Sequence, residues 1–176
     1  MKTTKILMLI TLLTITFSAY SQKCKKPFPE GKHLINTDEA GNNIAMEGYD
    51  LTSFFDKNPV KGNEKYSSIY EGITYLFATE ANKNAFNEAP TKYMPQYGGF
   101  CAVAMYFGKA EELQTYDLYD VVDGKLYFNK NKKAKKVWDK KGPRKIIKRS
   151  DSNWNCVLTD LGLDINEPYT EPKSIK

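Results

Sequence analysis

The stretch YSSIYEGITYLFATEANKNAFNEAP, residues 66–90, decides the fold class of this chain. Two β-prone runs on either side of Glu71-Gly72 predict a β-hairpin. Thr79 is a natural N-cap for a helix over 80–88. Pro90 ends that helix, because the residue before a proline avoids helical dihedral angles. The stretch therefore predicts a hairpin followed directly by a helix.

A second hairpin and a second helix are predicted further along the chain. Asp123-Gly124 separates two β-prone runs and is the strongest hairpin signal in the sequence. Ala134, Val137 and Trp138 recur at helical spacing on a lysine-rich segment, which indicates a helix with one apolar face. Hairpins mixed with short helices indicate the α+β class. The length of 176 residues suits a compact single domain.

Shorter elements are predicted between these. Residues 44–46 read as a short strand, and Asp50 can cap a short helical stretch over 51–55. The small and apolar residues of 100–107 suit a buried helix. A further helix is predicted around 146–154.

The N-terminal segment 1–21 has the layout of a secretory signal peptide. Two lysines precede a twelve-residue, mostly apolar run, and Ala19 and Ser21 occupy the small-residue positions of a cleavage site. An uncleaved anchor and a lipid anchor on Cys24 are the alternatives. The run is shorter than the ~20 apolar residues of a membrane span. We therefore expect an exported protein, periplasmic or secreted.

The predicted boundaries follow from these segments. After the signal peptide, residues 22–43 form a Pro-broken leader, 44–157 the folded domain, and 158–176 a flexible tail. With 41% hydrophobic and 27% charged residues, the composition excludes wholesale disorder. The single histidine, His33, excludes a site that needs two imidazoles. No phosphate-binding glycine loop is present in the sequence.

An ordered series of motifs carries a family resemblance. The series begins with Gly48-Tyr49-Asp50-Leu51-Thr52-Ser53-Phe54-Phe55, and continues through YEGITYLFA (70–78), PTKY (90–93), PQYGGFCA (95–102), VDGKLYFN (122–129) and Asn153-Trp154. It resembles the exported bacterial YHS-domain proteins, a YHS domain-containing (seleno)protein-like subfamily, over roughly residues 44–157. The resemblance implies a compact α+β fold around a β-hairpin and a helix.

The metal chemistry that the resemblance implies does not transfer intact. Related short YHS modules bind metals through a cysteine pair at the hairpin exit and the helix start. The matching positions here are Ala78 and Asn82, and neither is a thiolate. Soft metals need several thiolate or imidazole ligands that converge. A soft metal therefore stays one alternative, and no cofactor is required by the sequence.

Cys101 is the candidate catalytic or ligand-reactive residue. Some exported members carry selenocysteine in place of a cysteine, which we place at this position, and this implies redox or soft-ligand chemistry. A cysteine after Gly98-Gly99, in the first turn of a helix, also lies where the helix dipole favours a thiolate. Gly98, Gly99, Phe100 and Tyr97 are the candidate ligand-binding residues beside it. The alternative is that Cys101 is a small buried hydrophobic residue.

The other two cysteines are candidates for a disulfide. Cys24 and Cys156 lie at opposite ends of the domain, and chain ends often lie close together. Three pairings of the three cysteines are formally open. We favour 24–156, on position alone.

The segment Lys130–Arg149 concentrates positive charge. It holds eleven basic residues and one acid, for a net charge of +10, whereas the rest of the predicted mature chain carries −7. A solvated helix face and a contact with an anionic partner are both open. Nucleic acid is not expected, because only Trp138 interleaves aromatic character with the basic residues.

Three functions follow from these features. The first is an exported binding module in which Cys101 meets a soft metal, a small ligand or a redox partner. The second is a thiol-dependent enzyme for peroxide or disulfide chemistry, which needs a resolving thiol. The third is a structural or interaction domain with an inert Cys101. The sequence does not decide whether the protein is an enzyme.

Overall fold

The computed structural model describes residues 35–38 and 40–160. The predicted signal peptide, Cys24, His33 and residues 161–176 of the predicted tail (158–176) lie outside the described residues. None of the helices in the described part combines the length and the apolar composition that a membrane span requires.

Residues 35–38 and 40–160 form two antiparallel hairpins and five α-helices. The strands are β1 (Asn63–Tyr70), β2 (Ile73–Phe77), β3 (Tyr119–Val122) and β4 (Lys125–Phe128). The α-helices are α1 (Glu80–Glu88), α2 (Pro90–Tyr93), α3 (Ala102–Tyr106), α4 (Lys132–Lys141) and α5 (Pro143–Asp160). Three short 3-10 segments accompany them: Met46–Gly48, Leu51–Phe54 and Gln96–Gly99. β1 pairs with β2, and β3 pairs with β4, in two separate sheets. The predicted α+β class is confirmed.

The stretch 66–90 folds as its residues predict. β1 and β2 turn at Glu71-Gly72, both of which have positive φ. The Thr79 side chain caps α1, where its Oγ1 accepts a hydrogen bond from the backbone N–H of Asn82 at 3.1 Å. The helix ends at Glu88, just before the Ala89–Pro90 junction. The second hairpin, at Asp123-Gly124, is also confirmed.

The predicted strand over 44–46 is only partly formed. Ile44 and Ala45 make isolated β-bridges with Thr74 and Thr37. Met46 begins a 3-10 segment in which the backbone has positive φ. A left-handed backbone cannot continue a strand, so the prediction is wrong at Met46.

A buried carboxylate joins the first hairpin, helix α1 and the segment ahead of them. Asp50 Oδ1 accepts hydrogen bonds from the backbone N–H and the hydroxyl of Thr52, at 2.9 and 2.7 Å. Asp50 Oδ2 accepts from the Ala78 N–H at 2.9 Å and from Asn82 Nδ2 at 2.6 Å. Asp50 is fully buried. Four hydrogen bonds satisfy both oxygens, which is what burial of a carboxyl group demands.

Two hydrophobic clusters fill the interior, and β4 lies between them. Leu126 and Phe128 belong to the first cluster, with residues of the first hairpin and α1. Tyr127, which points to the opposite face, belongs to the second cluster with Trp138 and Ile146. Successive side chains of a strand alternate in direction, so one strand contributes to both cores. Ile35, ahead of the predicted domain start at residue 44, is buried in the first cluster.

We predict that Asp50→Asn destabilises the fold by about 3 kcal/mol. The amide nitrogen replaces one acceptor oxygen with a donor, and buried donors then face it without a partner. Urea unfolding measures the change in the free energy of unfolding.

The matched control is Asp56→Asn, because Asp56 is exposed in the same part of the chain. This variant should stay within about 0.5 kcal/mol of the parent. Equal effects of the two substitutions would contradict the role assigned to Asp50.

Candidate functional site

Cys101 is held against the free edge of β4. The segment that leads to it runs parallel to this strand, with bridges from Pro95 to Leu126 and from Cys101 to Phe128. The Cys101 N–H donates to the Glu111 carbonyl oxygen at 3.0 Å. The position of the thiol is therefore set by backbone hydrogen bonds on both sides.

The Cys101 side chain caps a short helix. α3 begins at Ala102, one residue after Cys101 and two residues later than predicted, and it is five residues long. The Sγ atom accepts a hydrogen bond from the Ala104 N–H at 3.4 Å. Only 1% of Cys101 is exposed. The Cys101 thiol thus caps the helix and is itself screened from bulk water.

A cleft of about 450 Å³ opens over this position. Its lining combines the thiol, apolar side chains and charged groups: Cys101, Val103, Ala104, Phe107, Lys109, Glu111, Lys130, Asn131 and Ala134. Lys130 and Glu111 form an ion pair at 3.2 Å, and both remain partly exposed. Lys109 is exposed. Two lysines against one glutamate give the lining a net positive charge.

The four predicted ligand-binding residues beside Cys101 do not line this cleft. Tyr97, Gly98, Gly99 and Phe100 are all buried. The Tyr97 hydroxyl donates to Asp151 Oδ1 at 2.7 Å, and the Gly98 carbonyl oxygen accepts from the Asn36 N–H at 2.7 Å. These contacts give the residues a role in packing. Their role in ligand binding stays a prediction.

Gly99 has a packing reason of its own. Its φ is +82°, in the left-handed region that favours glycine. A Cβ atom at this position would overlap the Met46 sulfur and lie 2.6 Å from the Met46 Cε. The segment before Cys101 therefore approaches the first cluster as closely as it does because residue 99 has no side chain.

We predict that Gly99→Ala destabilises the fold by about 3 kcal/mol, from left-handed strain of about 1 kcal/mol plus the collision with Met46. Gly108→Ala is the matched control. Gly108 has φ +74°, and a Cβ there meets nothing within 4 Å. Chemical denaturation of both variants separates the two terms. If Gly99→Ala destabilises the fold no more than Gly108→Ala does, the close approach of residue 99 to Met46 does not limit stability.

Two buried tyrosines of the second cluster, Tyr97 and Tyr127, have raised pKa values. Burial, followed by the hydrogen bond to Asp151 and its charge, raises the pKa of Tyr97 well above 10. Burial and the charges of Asp151 and Asp123 raise the pKa of Tyr127 to about 12. The rings of Tyr97 and Tyr127 lie 5.8 Å apart. The folded state therefore keeps both phenols protonated at pH values where the unfolded chain ionises them.

This difference predicts that the free energy of unfolding decreases at alkaline pH. A group whose pKa is raised on folding stabilises fully below its unfolded value of 10.0, and its contribution is lost as the pH rises toward about 12. Between pH 8 and pH 11.5, the free energy of unfolding of Tyr127→Phe should fall by about 1 kcal/mol less than that of the parent, because phenylalanine does not ionise. Urea unfolding at pH 8, 10 and 11.5 measures it. An unchanged alkaline slope in the variant would contradict the assignment.

The two cysteines in the described part of the chain differ in state. Cys101 is free and buried. Cys156, in α5, is bonded in a disulfide. Cys24 lies outside the described residues, so its pairing with Cys156 stays a prediction. A disulfide-bonded Cys156 has no thiol with which to resolve chemistry at Cys101.

Most of the cleft was not predicted from the sequence. Cys101 was the one lining residue predicted to act in a site. Lys130 was singled out for its charge and Ala134 for the apolar face of a helix. Lys109 and Glu111 lie in a short segment that carries no recognisable motif.

Residues 51–97 match the YHS domain. The match spans the first hairpin, α1 and α2, and ends four residues before Cys101. It supports a YHS-domain protein, while the exported bacterial subfamily stays a prediction. Neither a curated protein nor a solved structure matches the chain. The cleft over Cys101 thus lies entirely in the part of the chain beyond the match.

The residues at the implied metal position do not fit a metal. Ala78 has no ligand atom, and its N–H donates to Asp50. The Asn82 amide also donates to Asp50. Among residues 35–38 and 40–160, no group of three or more His, Cys, Asp or Glu side chains converges as metal ligands do. The YHS segment of this chain is therefore organised around a carboxylate and its hydrogen-bond donors.

Proposed function

We propose that this YHS-domain protein is an exported binding module whose ligand occupies the cleft over Cys101. The observation that carries the proposal is that Cys101, which has a free thiol, is one of the residues that line a cleft of about 450 Å³. Ligand pockets in proteins occupy ~300–1,000 Å³, with mostly apolar walls and a few polar groups that orient the ligand. This cleft has that composition.

The chemistry of the lining favours a small organic ligand or redox partner over a resident metal. A single thiol supplies one ligand, whereas soft metals are held by three or four. Val103, Ala104 and Phe107 offer apolar contact, and Lys109 and Lys130 offer positive charge. The ligand class that fits is a small molecule with an apolar body and a negative group, brought against the Cys101 sulfur.

Intramolecular disulfide exchange is less well supported. It needs a second thiol that can reach Cys101. Cys156 is already bonded. A redox role would therefore use a disulfide of the ligand or partner. The Cys101 thiolate would attack one sulfur to form a mixed disulfide, and the other sulfur would leave as a thiolate with the electron pair of the broken S–S bond.

We predict that Cys101 reacts in the native protein with a small reagent, methyl methanethiosulfonate, and not with a bulky fluorescein maleimide. A thiol reached only by global unfolding would react at least about 10³-fold more slowly than free cysteine. Access through the cleft should give a smaller protection factor, and this factor should not change when the protein is destabilised by Asp50→Asn or by mild urea. Mass spectrometry of the modified protein measures the rate and the site.

Ala134→Leu tests the route of access. Ala134 lines the cleft, and a leucine side chain there fills part of it. The variant should slow the labelling of Cys101, whereas Ala81→Leu, on the exposed face of α1, should not. Labelling that tracks global stability in every variant would overturn the proposal. The domain would then be structural, with an inert Cys101.

A further inference from the structure

The positive charge of residues 130–149 is largely uncompensated. Of its eleven basic residues, only Lys130, Lys135 and Arg144 form ion pairs with carboxylates within the described part of the chain. The other basic residues of α4 and α5 are exposed. Within the described part of the chain, the exposed lysines and arginines of α4 and α5 therefore form a basic surface, which we call the basic side.

Aromatic residues meet this basic side at the end of α3. Phe107 is 58% exposed, an unusual state for a phenylalanine. Its ring packs edge-on against Tyr106, with centroids 5.0 Å apart. Lys141 Nζ lies 5.5 Å and Arg149 Cζ 4.9 Å from the centroid of the Tyr106 ring. We call Tyr106, Phe107, Lys141 and Arg149 the Phe107 patch.

The patch combines two features that seldom occur together by chance. An exposed phenylalanine ring gains free energy when apolar surface covers it. The two cations rest on the Tyr106 ring through cation–π contacts, which leave their N–H groups available to an anion. Three elements, α3, α4 and α5, bring these groups to one place. A partner must therefore offer an apolar region directly beneath negative charge.

A bilayer of anionic phospholipid has this arrangement. Its phosphate groups lie immediately above the acyl chains, and Lys and Arg beside a membrane-inserted aromatic ring contact the headgroups. Basic residues near an anionic surface are attracted by about 1 kcal/mol each. An acidic polypeptide offers negative charge too, but it would leave the Phe107 ring without an apolar partner.

We propose that the Phe107 patch is a docking surface for anionic phospholipid bilayers. Phe107 enters the interface, Lys141 and Arg149 contact the phosphates, and the remaining charge of 130–149 orients the molecule. Phe107 also lines the cleft, so the patch and the cleft share this residue. The patch does not use the thiol, and Cys101→Ser should leave vesicle binding intact.

Sedimentation of the full chain with vesicles tests this proposal. Vesicles of phosphatidylcholine that contain about 30% of the anionic lipid phosphatidylglycerol are compared with vesicles of phosphatidylcholine alone. Any contribution of the N-terminal apolar segment is common to all variants and is measured with the neutral vesicles. Binding should require the anionic lipid and weaken with added salt.

The variants come in matched pairs. Arg149→Glu and Lys141→Glu should each weaken anionic-vesicle binding by about 10-fold. The control Lys65→Glu should change anionic-vesicle binding little. Lys65 Nζ also lies over a tyrosine ring, 5.1 Å from the ring centroid of Tyr66, but outside the patch. Phe107→Ser should weaken binding by about fivefold. Ile69→Ser removes an apolar side chain that is 75% exposed elsewhere, and should have no such effect.

If the patch variants and their controls lose vesicle binding equally, net charge alone would account for the binding. The docking role of the Phe107 patch would then be overturned. Binding to poly-glutamate with none to anionic vesicles would overturn the lipid assignment. Absence of any binding would overturn both.

Discussion

The Asp50 carboxylate is the contact on which the first half of the molecule depends. It accepts four hydrogen bonds: two from Thr52 in its own turn, one from Ala78 at the hairpin exit and one from Asn82 at the start of α1. A buried carboxyl group is costly unless each oxygen has partners, so only one relative placement of these segments is stable. That placement builds the first cluster, against which β4 packs.

β4 transmits this constraint to the cleft. Leu126 and Phe128 are fixed by the first cluster, and Tyr127 then faces the second. The segment that ends at Cys101 lies along the same strand, and Gly99 allows it to approach Met46. Close-packed interiors transmit small displacements, so the position of the thiol is coupled to packing in the YHS segment. The match to the YHS domain and the cleft beyond it are thus parts of one physical unit.

The structure also separates two kinds of chemistry that the resemblance had combined. At the hairpin exit, Ala78 and Asn82 serve a carboxylate and leave no soft-metal ligand set. At Cys101, the free thiol lies under a cleft with apolar walls and two lysines. Burial opposes reactivity there, whereas the cleft gives small molecules a route. The basic helices α4 and α5 and the exposed Phe107 form a further surface whose chemistry is independent of the thiol.

The sequence by itself determined the local elements of this protein. Glu71-Gly72 and Asp123-Gly124 encode their turns through positive φ, and Thr79 and Pro90 delimit α1, because these effects act within a few residues. The left-handed backbone at Met46 had no such signal, and the predicted strand was wrong there. The hydrogen bonds of Ala78 and Asn82 to Asp50, the two-sided burial of β4 and the lining of the cleft were decided only by the tertiary structure. They depend on contacts between segments tens of residues apart, whose meeting no local preference specifies.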